Sequence, residues 1–64
     1  MAHMFQLGQR VNTPLGPGVI DAMPYNDTTH VYGVWLDKPQ VIETSHGVVL
    51  ERWEPIPKKY IKAI

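Results

Sequence analysis

Few side chains in this sequence could do chemistry, and none of them falls in a recognised catalytic pattern. Ser45 directly precedes His46, but neighbouring side chains of a strand point to opposite faces, whereas a nucleophile and its base must converge. Gly16 and Gly18 form a lone Gly-x-Gly, and Asp21 stands where a dinucleotide-binding loop has its third glycine. We therefore expect no catalytic residue, no cofactor and a non-enzymatic protein.

His30 and His46 are the remaining candidates for metal ligands. If paired strands brought them together, Asp27 or Glu43 could complete a site of nitrogen and oxygen ligands. Two histidines without a spacing motif are more often surface or capping residues. The chain also has no cysteine, so it has neither a thiolate zinc site nor a disulfide. The sequence thus predicts no metal site.

Aromatic and basic side chains are better candidates, because they could contact a partner. Trp53 lies between two charged residues and is the easier tryptophan to place in a core. Trp35 alternates with Val34 and Leu36, so burial of those two residues would place Trp35 on the outer face, as a contact surface or packed under the terminal segment or a loop. The partner-binding candidates are Trp35, Tyr25, Tyr32, Trp53, Arg10 and Arg52.

The charge and hydropathy of the chain narrow the class of partner. Six basic residues balance six acidic ones, and 44% of the residues are hydrophobic, which is enough for a packed core. A neutral chain lacks the excess of cations with which nucleic-acid binders neutralise phosphates. Lys58, Lys59 and Lys62 cluster near the end and are expected to be solvated. No apolar run is long enough to cross a membrane, so we expect a cytoplasmic protein.

Short strands must position these side chains. Pro14 and the turn residues Gly16, Pro17 and Gly18 predict the reversal between the first two strands, because glycine accepts positive φ and proline fixes φ and removes a donor. Residues 30–36 are the clearest strand, and residues 37–39 are expected to end it. Residues 40–45 and 47–50 predict a further strand with its continuation, and residues 51–54 close the sheet.

Three regions follow along the chain. Residues 1–4 resemble a cloning remnant or a disordered start, and residues 5–56 are predicted as one small domain. Pro55 and Pro57 are expected to end the sheet. Residues 57–64 then form a short helical or irregular tail, which must dock or fray because a helix of this length is unstable alone.

The segments Leu7-Gly8-Gln9-Arg10-Val11, Gly16-Pro17-Gly18-Val19-Ile20 and Tyr32-Gly33-Val34-Trp35-Leu36 resemble small SH3-like and Tudor-like barrels. This resemblance covers most of residues 5–56 and implies an all-β fold with a single five-stranded SH3-like barrel. One similar family is the Tudor-like domain at the C-terminus of bacterial helicases. Its role implies contact with proteins of the transcription machinery.

The chain also resembles the plasmid-borne trimethoprim-resistant dihydrofolate reductases, which are SH3-like barrels that form a tetramer around one active-site pore. The pore motif of that family is Val-Gln-Ile-Tyr, whereas Ile42-Glu43-Thr44-Ser45 occupies its place here. The glutamine and tyrosine that contact the cofactor are therefore lost. The resemblance supports the fold and argues against the activity.

Three functions follow from these observations. The first, which we favour, is an interaction module that binds a protein partner or itself through an aromatic outer face. The second is a nucleic-acid-binding barrel in which aromatic rings stack on bases, and steep salt dependence would support it. The third is a small oligomeric enzyme with a shared pore, for which a tetramer with reductase turnover would be the evidence.

Overall fold

The computed structural model describes residues 5–25 and 28–64, which form five antiparallel strands in one open sheet. The strands are β1 (Arg10–Thr13), β2 (Gly16–Ala22), β3 (Val31–Thr44), β4 (Gly47–Pro57) and β5 (Lys62–Ala63), in the order β4-β3-β2-β1-β5. A 3-10 turn spans Lys58–Tyr60. The predicted all-β class is confirmed, whereas closure into a barrel stays a prediction. None of the described helical segments is long and apolar enough to span a membrane.

The first reversal lies at Pro14 and Leu15, so it includes Pro14 but not the predicted turn residues Gly16, Pro17 and Gly18. Thr13 pairs with Gly16 across the turn, so Gly16, Pro17 and Gly18 belong to β2. The Thr13 hydroxyl donates to the Gly16 carbonyl at 2.8 Å and accepts from the Leu15 amide at 3.0 Å. Gly16 has a φ of 111°, which a residue with a Cβ rarely adopts.

The second hairpin uses the same turn closure. Thr44 pairs with Gly47, which has a φ of 124°. The Thr44 hydroxyl donates to the Gly47 carbonyl at 2.9 Å and accepts from the His46 amide at 3.1 Å. A Thr-x-x-Gly motif therefore closes both hairpins, and Gly47 is the first residue of β4 as Gly16 is of β2.

Residues 37–39 do not end β3, contrary to the prediction. The β2–β3 ladder ends at the Gly18–Leu36 pair, and the β3–β4 register shifts between Trp35 and Gln40. Pro39 lies inside this irregularity, so its missing N–H costs no ladder hydrogen bond. The segment predicted as a separate strand, 40–45, is mostly the second half of β3, and residues 47–54 belong to one strand, β4.

The core lies on one face of the sheet. Tyr32, Val34 and Leu36 alternate along β3 and are all buried, as the alternation predicts for Val34 and Leu36. The amide of Phe5 donates to the Tyr32 hydroxyl at 3.3 Å, and the Phe5 ring meets the Tyr32 ring edge-on at 5.4 Å. The remaining buried apolar residues come from the other elements: Val11, Ile20, Ile56 and Ile61.

The tail belongs to the sheet. Pro55 and Pro57 do not end the sheet before the tail, contrary to the prediction, since both belong to β4. β4 is an edge strand, where proline is tolerated. After the 3-10 turn, Ile61 is buried and β5 pairs with β1. Residues 57–64 thus supply one core side chain and the last strand.

Part of the long β3–β4 hairpin extends past the rest of the sheet. Residues 40–51, which we call the arm, consist of β3 and β4 paired only with each other among the described residues. The molecule measures 45 × 24 × 17 Å as a result. All arm residues except Gln40 are exposed.

Candidate interaction surface

Trp35 and Trp53 are direct partners in the β3–β4 ladder and lie on the outer face of the sheet. Their exposed fractions are 46% and 43%. The prediction of an outer Trp35 is confirmed, whereas the placement of Trp53 in the core is wrong. Trp53 is three residues from the buried Ile56, and an odd separation in a strand puts two side chains on opposite faces.

The indole of Trp53 lies against the backbone of Gly33. A Cβ at Gly33 would overlap the Trp53 ring, because it would lie only 2.8 Å from the indole Nε1. Glycine inside a strand often marks such a close approach. Gly33 therefore allows the indole to approach the backbone of β3 closely, and this glycine is the signal by which the sequence could have revealed the position of Trp53.

A shallow groove of about 280 Å³ begins at Trp53 on this face. We call it the aromatic groove, and it is lined by Ala22, Met23, Tyr25, Thr29, Val31, Tyr32, Gly33, Trp53 and Pro55. Of these residues, Tyr32 is buried in the core and Tyr25 is 92% exposed. None of the described residues that line the groove is charged, so it suits an apolar ligand.

Arg52 lies beside the groove and covers part of Trp35. Its guanidinium carbon is 5.7 Å from the centre of the Trp35 ring, which is within cation–π range. Its Nη2 donates to the backbone carbonyl of Asp37 at 2.5 Å. Arg52 therefore ties β4 to the irregular part of β3 at the base of the arm.

Arg10 reaches the same place from β1. Its two terminal nitrogens donate to the two Asp37 carboxylate oxygens at 2.7 and 2.6 Å. The hydrogen bond from Arg10 lowers the pKa of Asp37 below its usual range and raises that of Arg10. Both candidate arginines thus have intramolecular partners, which leaves them less suited to bind phosphates.

Glu54 has a different electrostatic environment, on β4 next to Trp53. Its partial burial, together with a hydrogen bond and the negative charge of Glu51, raises the pKa of the Glu54 carboxyl.

The other predicted site residues are spread over the molecule. Tyr32 is 1% exposed and packs in the core, so it cannot serve as a surface contact; its inward direction follows from the same alternation that buries Val34. The lysines of the C-terminal segment lie near another ring, since Lys59 Nζ is 5.1 Å from the centre of Tyr60.

The structure does not assemble the alternative sites. His30 directly precedes β3 and His46 lies in the turn beyond its far end, so a 14-residue strand separates them. Asp27 lies outside the described residues, among which no group of three metal-ligating side chains occurs. The segment that replaces the pore motif, 42–45, forms the exposed end of the arm.

Sequence reasoning did not name Met23, Val31, Gly33 or Pro55 as parts of the surface, although alternation along β3 puts Val31 and Gly33 on the face of Trp35. Met23 and Pro55 carry no such signal, and the pairing of β2, β3 and β4 collects all four around Trp53. Comparison with protein-family models, curated proteins and solved structures gives no match.

Proposed function

We propose that this chain is a non-enzymatic interaction module that binds an extended, proline-containing segment of a partner protein in the aromatic groove. The observation that carries the proposal is the position of Trp53, close against Gly33 and almost half exposed at one wall of a groove whose described lining is uncharged. Aromatic-lined grooves bind proline-rich segments because such peptides are already extended and lose little entropy on binding.

The side chains around the groove support a peptide rather than a nucleic acid. A phosphate backbone needs cations along its path, yet the described groove lining contains none. Arg10 and Arg52, the two arginines, bind Asp37. Tryptophan and tyrosine instead supply large contact areas with few rotatable bonds, and tryptophan is enriched at the energetic centres of protein interfaces.

The same proposal includes an SH3-like barrel as the scaffold. Its support is the pairing of β5 with β1, which returns the end of the chain to the first strand. The aromatic groove would then lie on the outer surface of the barrel between β2, β3 and β4.

Selection of binding peptides from a random-sequence library tests the proposal, and this experiment does not depend on which protein is the partner. The wild-type chain should enrich peptides that contain proline and apolar residues, and Trp53→Leu should not. Tyr60→Leu is the control, because Tyr60 is also exposed but lies outside the groove. Equal enrichment by the wild type and Trp53→Leu would contradict the proposal.

A further inference from the structure

A cavity of about 600 Å³ lies between Phe5, the segment that precedes β3 and the C-terminal segment. We call it the basic cavity, and its main lining residues are Phe5, His30, Pro57, Lys58, Lys59 and Ile61. Its volume falls within the range of about 300–1,000 Å³ that is usual for small-molecule sites. Among the described lining residues, only Thr29 is shared with the aromatic groove. The basic cavity is therefore a separate candidate site.

The apolar wall of the basic cavity is continuous with the core. Ile61 is buried, and Phe5 is partly buried against the same core cluster. The Phe5 backbone and ring are both held by Tyr32. Pro57 is the last residue of β4, and a proline side chain has almost no rotamer freedom to lose. An apolar ligand group placed here would meet side chains that are already ordered, which limits the entropy cost of binding.

The same cavity is lined by three basic side chains. They belong to His30, Lys58 and Lys59, and no described lining residue is acidic. The salt bridge found among the described residues joins Arg10 to Asp37, so neither lysine is paired with a described carboxylate. Residues 55–64 contain three lysines and no aspartate or glutamate. These charges favour an anionic group beside the apolar wall.

The backbone fixes the relative positions of His30 and Lys58. The Lys58 amide donates to the His30 carbonyl at 2.7 Å. His30 has a φ of 55° and is the one described residue other than glycine with a positive φ. Residues held in this conformation cost free energy and cluster at ligand-binding sites. The hydrogen bond thus anchors two basic residues at one cavity, although they lie far apart in the sequence.

We propose that the basic cavity binds a small organic acid, whose apolar body packs against Phe5 and Ile61 and whose carboxylate lies beside Lys58 and Lys59. Lys58 is half-buried and Lys59 is exposed. Exposed ion pairs contribute little by themselves, so the apolar body supplies most of the affinity. The lysines then select the acid over a neutral molecule of the same shape.

Titration of the whole chain with naphthaleneacetate, followed by NMR, tests the proposal. The acid should give saturable shifts at Phe5, His30 and Ile61. Naphthaleneacetamide has the same rings without the charge, whereas acetate has the charge without the rings. Each analogue should bind more weakly by on the order of tenfold or more. The absence of saturable shifts with the acid, or an equal affinity for either analogue, would overturn the proposal.

Lys58→Gln should weaken binding of the acid by on the order of fivefold, since it removes one charge and keeps a long polar side chain. Lys62→Gln is the matched control, because it removes the same charge from the same segment but outside the cavity. If circular dichroism shows that Lys58→Gln is unfolded, Lys59→Gln replaces it and should also weaken binding. An unchanged affinity in the folded cavity variant, or an equal loss in Lys62→Gln, would overturn the proposal.

Trp53→Leu separates this proposal from the proposed function. Trp53 lines the aromatic groove and not the basic cavity, so the variant should lose peptide selection and keep the affinity for the acid. A matching loss of acid binding in Trp53→Leu would place the acid in the aromatic groove and overturn the proposal. The two proposals therefore fail or succeed independently.

Discussion

Trp35 and Trp53 face each other across β3 and β4, and each leaves nearly half of its surface exposed. The two rings have different neighbours: the Arg52 guanidinium covers Trp35, whereas Trp53 lies against the bare backbone of Gly33. Trp35 is thus part of the charged base of the arm. Trp53 is the aromatic wall of a groove whose described lining residues carry no charge.

Gly33→Ala should displace the Trp53 indole, because the new Cβ would overlap the ring. We expect a loss of about 1–3 kcal/mol in the free energy of unfolding, the usual cost of overpacking, and a change in tryptophan emission. In a Trp53→Ala background the same substitution should cost much less. Additive effects of the two changes in urea unfolding would show that the ring does not rest on Gly33.

The two Thr-x-x-Gly turns offer a matched pair of substitutions. Thr13→Val should lower the free energy of unfolding by about 1–2 kcal/mol, since Thr13 is buried and its hydroxyl makes both turn hydrogen bonds. Thr44→Val removes the same two bonds at an exposed position, where water replaces them, and should cost less than about 0.5 kcal/mol. Urea unfolding of both variants measures the difference, and equal costs would argue against a role for burial.

Asp37→Asn should change how steeply the free energy of unfolding falls at acid pH. The folded-state pKa of Asp37 is lowered, so its contribution is present above the ordinary aspartate pKa of about 3.9 and is lost as the pH falls through the folded value. The variant lacks this contribution and should lose less stability on acidification. Urea unfolding from neutral pH to about pH 2 measures it, and an unchanged acid slope would mean that the Arg10 pair does not stabilise the fold.

Glu54→Gln should act in the opposite direction. Because the folded-state pKa of Glu54 is raised, the wild type loses stability as the pH rises from the ordinary glutamate pKa of about 4.3 through the folded value. The glutamine variant should be more stable than the wild type at neutral pH. Glu51→Gln should give part of the same gain, since Glu51 is the neighbour that raises the pKa. A lower free energy of unfolding at neutral pH in both variants would contradict the raised pKa of Glu54.

The sequence predicted the fold class because its strands are marked by β-branched residues and by alternation, as at Val34 and Leu36. It identified Pro14 in the first turn but extended that turn over Gly16, Pro17 and Gly18, which belong to β2, because glycine and proline are common turn residues. The actual signal was the threonine at the start of each turn, whose hydroxyl closes it. The extension of β3 through Pro39 depends on a register shift, which local composition does not encode.

The candidate site was predictable only in part. The exposure of Trp35 followed from alternation with its buried neighbours, but the same reasoning lacked a buried neighbour to orient Trp53. Ile56, between two prolines at 55 and 57, is the residue that sets the direction of Trp53 in β4. The groove itself combines residues from three strands and a loop, so no single segment of sequence reveals it.

The most direct test of the proposed function is NMR mapping of a peptide selected from the library. We expect saturable shifts of the Trp53 indole N–H, the Val31 and Met23 methyl groups and the Tyr25 ring, with little change at Leu50 or Lys59. Shifts confined to the arm or to the C-terminal lysines would contradict it. So would binding that Trp53→Leu leaves intact.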